Sequence, residues 1–251
     1  MRNAWSKAPV IVLGLAVAIA GAQRVEAQGE FEGTMTFQVH SDQGAPKIVV
    51  ASTKGTKLRL EVNSTQSPMG PVVILADGSA HTRTIVMTSQ KRYMTLPASA
   101  GDPMHMATPD QGVAPKFNFT KTGRSETVAG ESCDVFHVTT ERDGKNEEGE
   151  MCIGKGVGLN TEAWQSLAGG NSTAMNAQMT AIRDAIGAGN GVLKVTSIKN
   201  GQPVVAIEVT KIERKSLSDD MFVPPAGYTQ MQMPQMPQMR QGAGGGQPTP
   251  Q

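Results

Sequence analysis

Strict alternation of apolar and polar residues near the start of the chain constrains the fold most. In residues 30–40, Phe31, Met35, Phe37 and Val39 are apolar, whereas every even position is polar. Alternation with a period of two over this length predicts a β-strand with one buried face. The pattern indicates a sheet that is solvated on one side and packed on the other.

Similar strand patterns recur through most of the chain, separated by short turns. Asn200-Gly201 is a strong hairpin signal, because both residues tolerate positive φ angles. Val205, Ile207 and Val209 share one face of a strand, and the phase shift before Ile212 predicts a β-bulge. With the first segment, about nine or ten strands are predicted, the others covering residues 47–53, 57–62, 71–76, 82–88, 92–96, 132–140, 149–153, 192–199 and 204–213.

Strands that follow one another through tight turns predict an antiparallel sheet. A sheet of this many strands does not stay flat without curling. The predicted fold class is therefore mainly β (α+β), a curved antiparallel sheet or unclosed β-barrel with one or two covering helices.

Two helices are expected between the last two hairpins. A short one covers residues 161–168 and carries Trp164 and Leu167. A longer one begins at Asn171-Ser172-Thr173 and runs to about Ala185, and its apolar side chains recur at helical spacing. We expect these helices to cover the sheet or to close its mouth over a ligand. The candidate ligand-binding residues are Trp164, Met175, Met179, Ile182 and Ile186.

The first 27 residues have the pattern of a secretory signal. Arg2 and Lys7 precede an apolar run over residues 10–22, and Val25-Glu26-Ala27 resembles a signal peptidase site. The run is shorter than the roughly 20 residues that a membrane-spanning helix needs. The sequence therefore predicts a periplasmic or secreted protein that is cleaved near Ala27 and has no transmembrane segment in its mature chain.

The chain has two cysteines, Cys133 and Cys152, and the predicted export favours a disulfide between them. Each lies in a predicted strand, and a hairpin centred near Arg142 and Asp143 would place the two cysteines opposite each other. Paired residues of an antiparallel hairpin have Cα atoms about 4.5–5.5 Å apart, a distance that a disulfide spans. We therefore predict a disulfide between them, as is common in an oxidising compartment.

The predicted domain organisation has three parts: the signal over 1–27, one β-rich domain over 28–229, and a tail over 230–251. The tail is rich in Met, Gln, Pro and Gly, so we expect it to be disordered. Residues 97–115 contain four prolines and predict a long loop.

Charge and motifs exclude several functions. Removal of the signal changes the formal net charge from +1 to −1, and no long basic run suggests nucleic acid as a partner. The histidines His40, His81, His105 and His137 are scattered, and no common catalytic or phosphate-binding motif is present. We therefore expect that the protein is not an enzyme and that it binds no cofactor.

Methionine offers a less favoured alternative, because thioether sulfur is a soft ligand for Cu(I). One candidate cluster is Met104-His105-Met106. The other lies in the tail and comprises Met231, Met233, Met236 and Met239.

Several segments together resemble a known family. These are Glu30-Phe-Glu-Gly33, the strand that follows Gly130-Glu-Ser-Cys133, and the closing Met221-Phe-Val-Pro-Pro-Ala-Gly-Tyr228. The chain resembles a bacterial exported family with a domain of unknown function (DUF4412), which is grouped with the lipoprotein carriers LolA and LolB. The resemblance covers about residues 29–229 and implies an unclosed β-barrel with helices as a lid over an apolar cavity.

Three functional hypotheses follow from the sequence. The leading one is a periplasmic binding or carrier module for a lipid-like or other apolar ligand. The second is an envelope structural or interaction protein with a protein partner, and the third is a copper-handling protein.

Overall fold

The computed structural model describes residues 31–40, 45–63, 70–98, 116–142, 144–158, 160–168, 173–199 and 201–231. The predicted signal, the Met104 cluster and the tail beyond Met231 lie outside these residues. The described residues form two helices and one sheet of twelve strands. The predicted fold class is confirmed.

The first six strands form one half of the sheet, mostly as consecutive hairpins. Neighbouring strands are antiparallel, as predicted. Their bounds are β1 Gly33–Val39, β2 Lys47–Lys54, β3 Lys57–Asn63, β4 Val72–Asp77, β5 Thr82–Met87 and β6 Arg92–Pro97.

The remaining strands and both helices complete the fold. The sheet order is β12-β6-β5-β4-β3-β2-β1-β11-β10-β9-β8-β7, so β1 lies near the centre beside β11. The bounds are β7 Lys116–Val128, β8 Glu131–Arg142, β9 Lys145–Gly154, α1 Thr161–Ala168, α2 Thr173–Ile186, β10 Gly191–Lys199, β11 Gln202–Arg214 and β12 Thr229–Gln230.

The strands β7 and β12 are absent from the sequence prediction. β7 alternates less regularly, and its pairing with β8 is interrupted between Lys121 and Ser125. β12 has two residues and exists because it pairs with β6, in parallel. Gln230, the first residue of the predicted tail, therefore belongs to the sheet.

The predicted bulge in β11 is confirmed. Phe37 pairs with Val209 and Thr36 pairs with Lys211, which leaves Thr210 as the extra residue. The bulge keeps Val209 and Ile212 on the same side of the sheet even though they are three residues apart. Both therefore pack against the cluster that contains Met35.

Two joined clusters form the main core. The first lies around β1 and β8–β11 and includes Met35, Val135 and Leu193. The second lies on β2–β6 beneath α1 and includes Leu58, Ile74 and Ile85. Phe37 packs against both clusters and so connects them.

Strands β4 and β5 are buried on both faces. Val72, Ile74 and Ala76 face the cluster beneath α1, whereas Val73 and Leu75 belong to a separate outer cluster. The segment that follows β11 covers this outer face, and Tyr228 packs there. We call residues 215–231 the strap. It holds the sheet from outside, so the apolar run of β4 has a structural explanation.

Polar contacts fix the strap along its length. The Glu32 carboxylate accepts a hydrogen bond from the Leu217 N–H at 2.8 Å, and Asp219 forms ion pairs with Lys54 and Lys57. The backbone N–H groups of Thr229 and Met231 donate to carbonyl oxygens of Lys91 and Tyr93, at 3.0 and 2.7 Å. The closing motif of the sequence is thus part of the fold.

Candidate functional site

Helix α1 lies over strands β3–β5. The Asn160 side chain accepts a hydrogen bond from the Ala163 N–H at 3.0 Å and so caps the first turn. Ala163 is fully buried in the cluster beneath the helix, and Trp164 and Leu167 pack at the edge of that cluster. Gly78 permits the close approach, because a Cβ atom there would lie 2.6 Å from the Glu162 side chain.

A buried arginine holds the other end of α1. The Arg83 side chain extends from β5 and is 5% exposed. Its Nη1 donates a hydrogen bond to the carbonyl oxygen of Leu167 at 3.1 Å. A cation at this position also interacts favourably with the negative end of the helix dipole.

Helix α2 contacts β7 and α1. Its last residue, Ile186, packs against a cluster of buried side chains from β8 and β9, which comprises Phe136, Val138 and Ile153. Asn190 ends the helix, since its side chain donates to the Ile186 carbonyl oxygen at 2.6 Å. The helix therefore lies over the end of the sheet formed by β7–β9.

The residues proposed as a ligand lid fall into two groups. Trp164 belongs to the cluster beneath α1, and Ile186 belongs to the cluster beneath α2. Ile182 is half-buried on α2. The side chains of Met175 and Met179 lie outside the described part of the chain, so their predicted role remains a prediction.

Between the two helix-covered clusters runs a line of apolar side chains. Val62 pairs with Val49, and Val49 pairs with Phe37. Val39 lies two residues further along β1 and pairs with Ile207 of β11. The pairing continues from Ile207 to Val195 of β10, and from Val195 to Met151 of β9. The whole line, which we call the central apolar row, is Val62, Val49, Phe37, Val39, Ile207, Val195 and Met151.

Directly paired residues of neighbouring strands lie on the same face of the sheet, and so do residues two apart in one strand. The central apolar row is therefore continuous. At one end, Phe37 and Val49 pack against the cluster beneath α1, and at the other Met151 packs against the cluster beneath α2. The row connects the two clusters across the middle of the sheet.

All seven residues of the central apolar row are half-buried. This is unusual for the middle of a sheet, because the clusters on either side contain side chains such as Ile85 and Val138 that are almost completely buried. The described side chains thus leave apolar surface accessible at the sheet centre. Surface of this kind can bind an apolar molecule.

The disulfide Cys133–Cys152 is present, as predicted, with Cα atoms 5.3 Å apart. The cysteines are diagonal neighbours, because Cys133 pairs with Gly154 and Cys152 pairs with Val135. The hairpin turns one residue later than predicted, since Arg142 pairs with Lys145. Both cysteines are buried in the core, which indicates a structural role for the disulfide.

Titratable side chains in the described residues do not converge on a metal site. His40 follows β1, His81 lies in the β4–β5 turn and His137 lies in β8. The described residues include no group of three His, Cys, Asp or Glu side chains that could hold a metal ion. Burial raises the pKa of Asp77, but hydrogen bonds from Ser79 and Ala80 outweigh this effect and lower it. These bonds hold the β4–β5 turn.

The match to a known family covers most of the chain. Residues 31–228 match the model of the family described as a domain of unknown function (DUF4412). The chain belongs to this family. No curated protein sequence is similar to the chain.

The DUF4412 match begins just before β1 and ends at Tyr228, inside the strap. It thus includes both helices, the disulfide and the whole central apolar row. Among the described residues, no helix combines the length and the apolar character needed to cross a membrane.

Sequence reasoning identified the individual strands of the central apolar row but not the row. The alternation places Phe37 and Val39 on one face of the first strand, and it places Ile207 on one face of the last long strand. Their alignment with Val195 and Met151 depends on which strands are neighbours and on two register shifts in β10. No local pattern in the sequence specifies that alignment.

Proposed function

We propose that the protein is an exported, non-enzymatic binding or carrier module for a lipid-like or other apolar ligand. The observation that supports this function is the central apolar row, which is half-buried in the middle of the sheet while the clusters on both sides are buried. A ligand held against the row would complete the packing between the regions covered by α1 and α2.

The energetic argument is that exposed apolar surface is costly in water. Covering it contributes about 25 cal/mol for each Å² removed from solvent. Side chains at the centre of a sheet, between two covering helices, are well placed for this. Contiguous accessible apolar surface in a folded domain often marks a binding site.

Export is supported by two independent features of the chain. Residues 1–27 have the order of charge, apolar run and small residues that is typical of a secretory signal. The cysteine pair is oxidised in the structure, and such bonds persist mainly in oxidising compartments. A periplasmic or secreted carrier is consistent with both features.

Ligand binding can be tested on protein secreted to a bacterial envelope. Native mass spectrometry of the purified protein is expected to show a copurified apolar molecule. Titration with an apolar fluorescent probe should then be saturable and should alter the fluorescence of Trp164, the one tryptophan after the predicted cleavage site. Absence of both copurified mass and saturable binding would overturn the proposal.

Two variants test whether the ligand binds at the central apolar row. Ile207→Ser is expected to weaken probe binding about tenfold, since part of an apolar side chain no longer contacts the ligand. The melting temperature should change little, because Ile207 is only half-buried. Val204→Ser is the matched control, because Val204 lies on the same strand and is exposed.

The second candidate is an envelope structural or interaction protein, which the position of β7 favours. β7 is 13 residues long and ends the strand order, and β8 is its one paired neighbour among the described strands. Such an edge can receive an extended segment of a partner. Specific crosslinking of an envelope protein through the exposed Lys116, with no probe binding, would favour this function. The copper hypothesis concerns methionines of which the structure describes only Met231.

A further inference from the structure

The outer part of the central apolar row has a lysine at each end. Lys47 of β2 pairs with Val39, and the row continues through Ile207 and Val195 to Met151. Met151 pairs with Phe136, which in turn pairs with Lys121 of β7. A line of apolar side chains across five strands is therefore flanked by cations.

The two lysines differ in their surroundings. The Lys121 ammonium lies 3.7 Å from an oxygen of the Asp134 carboxylate and 5.5 Å from the centre of the Phe136 ring. Lys47 is exposed and, among the described residues, forms no ion pair. The charge of Lys121 is thus partly compensated within the fold, whereas the charge of Lys47 is available to a ligand.

The acidic side chain closest in register does not compensate Lys47. Glu208 pairs with Gln38, the residue before Val39 in β1. Because successive side chains of a strand point to opposite faces, Glu208 lies on the other face from Val39 and Lys47. An anion beside Val39 would therefore meet a cation and an apolar surface on the same face.

We propose that the ligand is an acidic amphiphile, with its apolar chain along the outer part of the central apolar row, from Val39 to Met151, and its anionic group bound by Lys47. This inference rests on the proposed function and specifies the ligand class. Charge complementarity at one end of this outer part gives the ligand a direction: the chain extends toward Met151, and the head stays at the exposed start of β2.

The experiment compares dodecanoate with dodecanol, which share a chain and differ in charge at pH 7.5. Dodecanoate is expected to bind about two- to fivefold more tightly, the range for one exposed ion pair. Lys47→Met should abolish this preference and Lys47→Arg should retain it. Lys121→Met is the matched control, and the preference should survive in it.

The outcomes separate the two proposals. If neither compound binds, the inference is overturned, and the copurification and probe experiments decide the proposed function separately. If both bind equally to the unaltered protein, or if the preference survives in Lys47→Met, the carrier function stands and the inference is overturned. A parallel titration with mono-acyl phosphatidic acid distinguishes a phosphate head from a carboxylate, and tighter binding of either anion through Lys47 supports the assignment.

Discussion

Arg83 donates a hydrogen bond from Nη1 to the backbone carbonyl oxygen of Leu167 at 3.1 Å. A buried side chain of the sheet thus fixes the C-terminal turn of the helix that covers the sheet. Since Ala163 of the same helix is fully buried, α1 is attached at both ends: by packing near its start and by Arg83 near its end.

Arg83→Met should loosen α1 while leaving the sheet intact. The variant keeps most of the side-chain volume but removes a charged hydrogen bond, which contributes about 1.5–3 kcal/mol. We expect the free energy of unfolding to fall by a similar amount and amide exchange in residues 161–168 to accelerate. Unchanged exchange in these residues would show that Arg83 does not hold the helix, and Arg83→Lys should recover part of the loss.

The disulfide should contribute substantially to stability, because it closes a loop between residues 19 positions apart. On the chain-entropy model, a loop of this size corresponds to about 3 kcal/mol. The double variant Cys133→Ala, Cys152→Ala is expected to lower the free energy of unfolding by that amount in urea titrations. Thiol titration of the denatured, unreduced protein should find no free sulfhydryl, and two free thiols would contradict the bond.

Two truncations test the end of the strap. A chain that ends at Tyr228 lacks β12 and the N–H donors of Thr229 and Met231. We expect it to unfold about 1–3 kcal/mol more easily, since each of the two hydrogen bonds contributes about 0.5–1.5 kcal/mol. A chain that ends at Met231 keeps both bonds and should melt at the temperature of the full chain. Equal melting of both truncated chains would show that β12 adds no stability.

The β4–β5 turn should make the free energy of unfolding depend on pH in the acidic range. Asp77 accepts hydrogen bonds from the Ser79 hydroxyl at 2.6 Å and from the N–H groups of Ser79 and Ala80, and its pKa in the folded protein is lowered. A carboxylate with a lowered folded-state pKa stabilises the fold above its unfolded pKa of about 4, and this contribution is lost as pH falls.

The check on Asp77 is a series of urea titrations between pH 6 and pH 2. The wild-type protein is expected to lose more unfolding free energy over this range than Asp77→Asn, which cannot titrate. Glu147→Gln is a suitable control, because Glu147 is exposed on β9. Parallel pH profiles for wild type and Asp77→Asn would show that the turn carboxylate does not contribute.

The alternating segments, the tight turns such as Asn200-Gly201 and the number of strands were sufficient to predict a curved antiparallel sheet. The cysteine spacing predicted the disulfide, and the phase shift before Ile212 predicted the bulge. Each of these features depends on residues close together in the chain, where side-chain period and turn geometry act directly. β12 could not be predicted in this way, because two residues become a strand only when β6 lies beside them.

The sequence by itself thus determined ten of the twelve strands, both helices, the cysteine pairing and membership of a β-rich class. The tertiary structure decided that β1 and β11 are neighbours, although their residues are about 170 positions apart in the chain. That pairing brings Val39 beside Ile207 and creates the central apolar row, with Lys47 beside Val39 where the outer part of the row begins. Strand order and register are set by packing over the whole domain, so a site that crosses several strands is visible only in the folded chain.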